Sequence, residues 1–271
     1  MNEPTLDNNK MFPARPIVLF VAVFIFFTLG QVVAMFVPLI PQVTTIVAQL
    51  VFILGAAIVY RRFYARADTT FPSLKKLGVS PLALLVVVVA SIVLGFLANA
   101  LGALTVLVFP GLEPMAELYQ ETIESLLIDA PLYAQVLGAI GVVVVAPVAE
   151  EILFRGTILP EQRREQIAVS AILLNGILFS LMHQNPVAFV ALAVVGCYFA
   201  HITLKSGALW PAIIGHAALN LVNGVILLRV IDEVPDAADI TVGEISVALA
   251  LLLPLSIVVW WLSVYLMDDS D

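Results

Sequence analysis

Apolar residues in this chain come in eight runs, at about residues 16–37, 43–60, 81–109, 132–159, 167–182, 187–204, 209–229 and 245–267. In hydrocarbon a backbone N–H or C=O finds no water, so a run of roughly 20 apolar residues crosses a bilayer as a helix. The rest of the composition agrees, with 62% hydrophobic residues, 12% charged residues and a mean hydropathy of +1.08. The fold expected is therefore all-α: a polytopic membrane protein of about eight transmembrane helices, forming one membrane-embedded domain over residues 1–271.

Charge orients the spans. Arg61, Arg62, Arg66, Lys75 and Lys76 crowd one short connection and place it in the cytoplasm, because positively charged loops stay on that side. Lys10 and Arg15 put the N-terminus on the same side, and an even number of spans returns the C-terminus there. The stretch PGLEPMAELYQETIESLLIDAP has five carboxylates and no Lys or Arg, so it should lie outside as a short amphipathic surface helix. Of twelve Lys and Arg residues only Arg229 falls outside the cytoplasmic half. The N-terminal MNEPTLDNNKMFPAR, with its acids and prolines, is a poor match to a cleaved signal peptide. A net charge of -8 argues against a nucleic-acid partner. Cys197, the single cysteine, reads as packing. Trp210, Trp260, Trp261 and Tyr265 sit near span ends and read as an interfacial aromatic belt. The long third run should tilt or kink near Gly95 or Gly102.

A few polar residues interrupt the hydrocarbon between Val148 and Asn220: Glu150, Glu151 and Arg155, then Phe179 and His183, then His216 and Asn220. An ionisable residue within a span is costly and is by default a functional candidate. Counting ~1.5 Å per residue from the connections, Glu150 and His183 lie ~20 to 27 Å along their helices and His216 ~15 Å along its own, so three helices bring polar groups to overlapping depths. Residues four apart share a helix face, which pairs Glu151 with Arg155. Glu150 is turned about 100° away and is left to serve as a general base. Phe179 with His183, and His216 with Asn220, likewise share faces. The plainer reading is an interfacial ion pair and two interhelical hydrogen bonds, as also expected for His201, Asn175 and Asn223.

These residues carry a resemblance. EEILFR at Glu150–Arg155 resembles the EExxxR motif of the CPBP family, the CAAX proteases and bacteriocin-processing enzymes also called Abi. FSLMH at Phe179–His183 resembles its FxxxH motif, and HAALN at His216–Asn220 its HxxxN motif. The likeness covers about residues 146–222, the core that carries the protease motifs, and leaves the first 130 residues without anything diagnostic.

The resemblance implies a glutamate-type intramembrane endopeptidase that needs no cofactor. By carry-over, Glu150 activates the attacking water, His183 assists its placement, and His216 and Asn220 stabilise the oxyanion, with Glu151, Arg155 and Phe179 in support. The family has also been read as zinc-dependent, in which case Glu150, His183 and His216 would be the ligands, although no HExxH is present. The partners implied are membrane lipids and a peptide or lipidated protein substrate. The location implied is a multi-pass place in the plasma membrane, in a prokaryote, with the site opening towards the cytoplasmic half. A non-catalytic membrane scaffold or immunity protein is the reading from another class, and a transporter a third.

Overall fold

A computed structural model describes residues 14–34, 36, 40–67, 69–226 and 241–268. The expectations placed on Lys10, on most of the N-terminal stretch and on Arg229 lie outside the described residues.

The described chain is helical, and its only β-type pairing is an isolated bridge between Ser73 and Ala208. We label the helices α1 (Ala14–Ala34), α2 (Pro41–Phe63), α3 (Pro81–Val108), α4 (Glu113–Leu127), α5 (Leu132–Arg163), α6 (Ala168–Met182), α7 (Phe189–Ser206), α8 (Trp210–Leu219, continued by a π-helical segment Asn220–Ile226) and α9 (Val242–Asp268). Among the described residues, six helices are long and apolar enough to cross a membrane: α1, α2, α3, α5, α7 and α9. Helix α6 is apolar but only 15 residues long, a rise of ~22 Å, and α8 is described only as far as Ile226. The acidic segment after the third run forms α4, as its amphipathic pattern predicts.

Helix boundaries follow local chemistry. Ser80 caps α3 by accepting from the Ala83 N–H, and Pro81 occupies the first turn, where its missing N–H leaves nothing unsatisfied. Gly207 ends α7 at φ 61°, a left-handed cap that suits a residue without a Cβ. Helix α3 runs unbroken past Gly95 and Gly102. The lack of a side chain at Gly95 makes room for the Asn223 amide, which a Cβ there would strike. Asn223 bonds the Leu219 carbonyl of its own helix at 3.1 Å, so it does not make the interhelical bond expected of it. Asn175 does, reaching the Phe154 carbonyl and Gln162 Oε1 on α5, both at 3.0 Å.

Two apolar clusters organise the bundle. One joins α1, α2, α5 and α6 through residues such as Val23, Ile53, Leu153 and Phe179. The other joins α3, α7, α8 and α9 through Val87, Leu94, Tyr198, Phe199 and Ala212. Trp260 belongs to the second: its indole N–H donates to His201 Nδ1 at 3.1 Å and its ring packs edge-on against Tyr198, so it is a packing residue and not part of a lipid-facing belt. Trp261 and Tyr265 do stay exposed, stacked on each other.

Helices α6 and α7 cross at glycines. A Cβ on Gly196 would come within 2.8 Å of Gly176 Cα, and one on Gly176 within 2.5 Å of the Ala193 carbonyl, so only hydrogen at both positions permits this approach. At the basic end, the connection between α2 and α3 is strapped across the others. Arg66 pairs with Glu165 at 3.0 Å, Thr69 donates to the buried Glu161, and Trp210 Nε1 donates to the Leu74 carbonyl. The ends of α2, α5 and α8 are thereby held in one register.

Candidate active site

The site sits at the seam between the two clusters, and π-helical turns surround it. Helix α2 is π-helical over Gln49–Leu54, α5 over Gly141–Val145 and again over Phe154–Ile158, and α8 from Asn220. Each π turn holds an extra residue and so rotates the helix face that follows it, a device found often at functional sites. Glu150 and Glu151 lie on the eight-residue α-helical stretch between the two π segments of α5.

Arg155 and Glu151 form the buried frame. Both side chains have no exposure, and Arg155 Nη1 meets Glu151 Oε1 at 2.9 Å. Arg155 Nη2 donates to the Gly196 carbonyl on α7 at 2.9 Å. The guanidinium carbon stands 4.4 Å from the centre of the Phe179 ring and 5.7 and 5.8 Å from those of Phe199 and Phe154, an aromatic cage of the kind that stabilises a cation. Phe179 thus acts on both halves of the arrangement, since it also packs against the His183 and His216 rings.

Two imidazoles are fixed by what their Nδ1 atoms touch. His216 Nδ1 lies 3.0 Å from Glu151 Oε1, and His183 Nδ1 lies 2.8 Å from the Phe179 carbonyl. A carboxylate and a carbonyl accept only, so each Nδ1 carries its hydrogen. Each Nε2 is then turned inward, and both stand 3.9 Å from the same atom, Glu150 Oε2. That distance is too long for a direct hydrogen bond and leaves room for one bridging water. His216 also stacks on Phe199, centroids 5.3 Å apart, which fixes the plane of its ring.

Glu150 is reached by no arginine, but it is not without a bond. Gln49, from the first residue of the π segment in α2, donates from Nε2 to Glu150 Oε1 at 2.9 Å. No motif marks Gln49, which lies a hundred residues before the glutamates. The available signal was one amide in an otherwise apolar run. Asn220 is half-buried at the start of the π segment of α8 and donates to the Val142 carbonyl of α5 at 2.9 Å. The structure thus gathers Glu150, His183 and His216 around one point, holds Glu151, Arg155 and Phe179 behind them, and ties Asn220 to the helix that carries the glutamates. Tyr119, on α4, is half-exposed; partial burial, with the charge of Glu150, pushes its phenol above its ordinary pKa.

Residues 132–222 match the model of a family described as type II CAAX prenyl endopeptidase, Rce1-like. Over that segment, which builds the site, the chain is similar to the Rce1-like CAAX proteases. The Rce1-like segment comprises α5 to α8 and contains every residue placed above except Gln49 and Tyr119. The chain is accordingly an intramembrane protease, a hydrolase of peptide bonds. No curated protein and no solved structure shows a significant match to it.

The donor chemistry of Glu150, His183 and His216 suits zinc, and both imidazoles are anchored through Nδ1 as zinc ligands commonly are. Their spacing does not suit it. Ligand atoms about 2.0–2.1 Å from a tetrahedral zinc lie about 3.3 Å from one another, whereas Glu150 Oε2 is 3.9 Å from each imidazole. Among the described residues no group of three or more His, Cys, Asp or Glu side chains has an arrangement that would hold a metal ion.

Proposed function

We propose that Glu150 is the general base of a metal-free endopeptidase acting on lipidated or membrane-associated protein or peptide substrates. The observation that carries this reading is the convergence of His183 Nε2 and His216 Nε2 on Glu150 Oε2, each at 3.9 Å. A water held between these three atoms is in place to attack a carbonyl carbon. Glu150 takes its proton as the oxygen adds, and the tetrahedral intermediate then collapses as that proton passes to the leaving amine.

His183 positions the water through Nε2. His216, when protonated, donates Nδ1–H to Glu151 and Nε2–H to the oxyanion, so the negative charge that develops meets a donor already oriented by a buried carboxylate. Asn220 uses one amide N–H on Val142 and offers the other as a second donor. The bond from His216 Nδ1 to Glu151 keeps the helix carrying the base and the helix carrying His216 at fixed separation, and Arg155 holds Glu151 in place from its own helix. The similarity to CAAX prenyl endopeptidases makes a prenylated C-terminal CAAX segment the first substrate class to try. The proposed location is a prokaryotic plasma membrane, with the site reached from the cytoplasmic half, where the basic connections gather.

The test is cleavage by purified wild type and Glu150→Ala in detergent, given a mixed library of prenylated, acylated and unlipidated peptides, with and without a strong chelator, and read by mass spectrometry. Cleavage that needs Glu150 and survives chelation is the expected result. Cleavage by Glu150→Ala at near wild-type rate overturns the assignment of the base. Loss of cleavage with chelator overturns the metal-free mechanism.

A further inference from the structure

Gln49 is an odd residue for its place. It lies mid-way along a helix whose mean hydropathy is 2.2, it is buried, and the face it shares with Ile53 packs into the first apolar cluster. Its Nε2 donates to Glu150 Oε1, while its own Oε1 is buried without a hydrogen-bond partner. The amide orientation is settled by chemistry, since an ionised carboxylate only accepts and the nitrogen must face it. A buried carbonyl oxygen left unsatisfied is destabilising. Helix packing alone would be served as well by leucine or methionine. The contact with Glu150 is what distinguishes glutamine from them.

The geometry of the carboxylate shows what that contact does. Glu150 has two oxygens: Oε1 is held by Gln49, and Oε2 is the one both imidazoles face. The two glutamates are adjacent, yet their restraints come from different quarters. Glu151 is fixed by Arg155 from its own helix and by His216. For Glu150, the one direct hydrogen bond to its carboxylate among the described residues comes from α2, which lies outside the segment that matches the Rce1-like family. Without that bond the carboxylate is free to rotate about its terminal torsion, which is broad for an sp³–sp² bond, and Oε2 is no longer held at equal distance from His183 and His216. The π turn that begins at Gln49 is consistent with this use, since it rotates the amide relative to the helix face below it.

We infer that Gln49 is a positioning residue for the hydrolytic reaction: it clamps one oxygen of Glu150 so that the other faces the water site between the two histidines. The inference rests on the assignment of Glu150 as the base. It makes α2 part of the catalytic apparatus and predicts that glutamine at this position serves turnover and not stability.

The experiment compares wild type, Gln49→Met, Gln49→Leu and Glu150→Ala in proteoliposomes, using an internally quenched farnesylated CAAX peptide. Melting temperature is measured on the same preparations. Misplacing a reacting group by about 1 Å costs on the order of 100-fold in rate, so kcat should fall about 10- to 100-fold in both Gln49 variants, with KM within about 3-fold of wild type and melting temperature unchanged or slightly raised. A parallel fall in kcat and melting temperature would mean that Gln49 is structural and would overturn the inference. Full kcat in both variants, with Glu150→Ala inactive, would overturn it while leaving the base assignment intact. Activity in Glu150→Ala would overturn both. A readout independent of turnover is the carboxylate stretch of Glu150, isolated as the infrared difference between Glu150→Ala and its parent: it should shift when the parent is Gln49→Met, and an unshifted band refutes the clamp even if the peptide is not cut.

Discussion

Replacing Arg155 with methionine removes a guanidinium buried in the seam and leaves Glu151 charged behind it. Arg155 has no exposure, so no water can take its place without opening the bundle. Two charge-assisted hydrogen bonds are lost, one to Glu151 Oε1 and one to the Gly196 carbonyl, each at 2.9 Å. Bonds of that kind contribute about 1.5–3 kcal/mol each, and removing one partner of a buried ion pair destabilises by about 3–5 kcal/mol. The two figures describe the same contacts and are not summed. Methionine fills part of the aromatic cage, and His216 Nδ1–H still reaches Glu151, so the expected loss is about 3 kcal/mol.

Unfolding in mixed micelles, with a denaturing detergent titrated into a mild one and helicity followed by circular dichroism, measures this loss directly. Glu151→Gln/Arg155→Met is the control. With both charges of the pair removed it should recover at least about 1 kcal/mol relative to Arg155→Met, because the penalty comes from an unpaired charge and not from a missing contact. A loss below about 1 kcal/mol for Arg155→Met would refute the claim that the pair is a buried frame. A double variant no more stable than Arg155→Met would refute the electrostatic account even if the loss is large.

Glu150→Gln should behave in the opposite way, with stability within about 1 kcal/mol of wild type, because its amide oxygen still accepts from Gln49, and with cleavage abolished because the base is gone. Gly176→Val drives a side chain into the Ala193 carbonyl and Cys197, so it should cost about 1–3 kcal/mol in the same micelle titration and lower activity by displacing Phe179 and His183 together. Asn175→Leu strands Gln162 Oε1 and removes a second bond to the Phe154 carbonyl, which keeps the Leu159 N–H, and a loss of about 1–3 kcal/mol with kcat less affected than stability is expected. A chelator titrated against the peptide assay should leave the rate unchanged, given ligand atoms 3.9 Å apart where zinc wants about 3.3 Å.

Much of this was legible in the sequence because a bilayer leaves few choices. The apolar runs became helices at nearly the expected bounds, and the spacing of Glu151 and Arg155 gave their ion pair, since four residues is one turn whatever the tertiary context. Other features were hidden for identifiable reasons. Asn223 was expected to bridge helices and bonds its own, because Gly95 opposite it offers space and no polar partner. Trp260 has the composition of a belt residue but lies on the face of α9 turned towards Tyr198 and His201, and span-end position alone does not distinguish the two faces.

The largest omission, Gln49, has a more general cause. Angular arguments assume 3.6 residues per turn, and they fail wherever a helix takes a π turn. Four such segments flank this site, on α2, α5 and α8, and the contacts that tune it begin at them: Gln49 and Asn220 each open one, Val142 lies in another, and Arg155 lies in the fourth. The pair of Glu151 and Arg155 survives the irregularity because Arg155 is only the second residue of its π segment. Gln49 contacts Glu150 through a π turn on a different helix, so neither its angle nor its partner follows from spacing. A glutamate at the mid-depth of a membrane helix nevertheless implies that something polar must face it. In this chain the apolar runs before residue 130 hold few amides, and asking which of them reaches that depth would have led to α2. Such a search, for the partner that a buried carboxylate requires and the motifs do not supply, depends on depth and not on angle, and so survives the π turns that defeat helical-wheel reasoning.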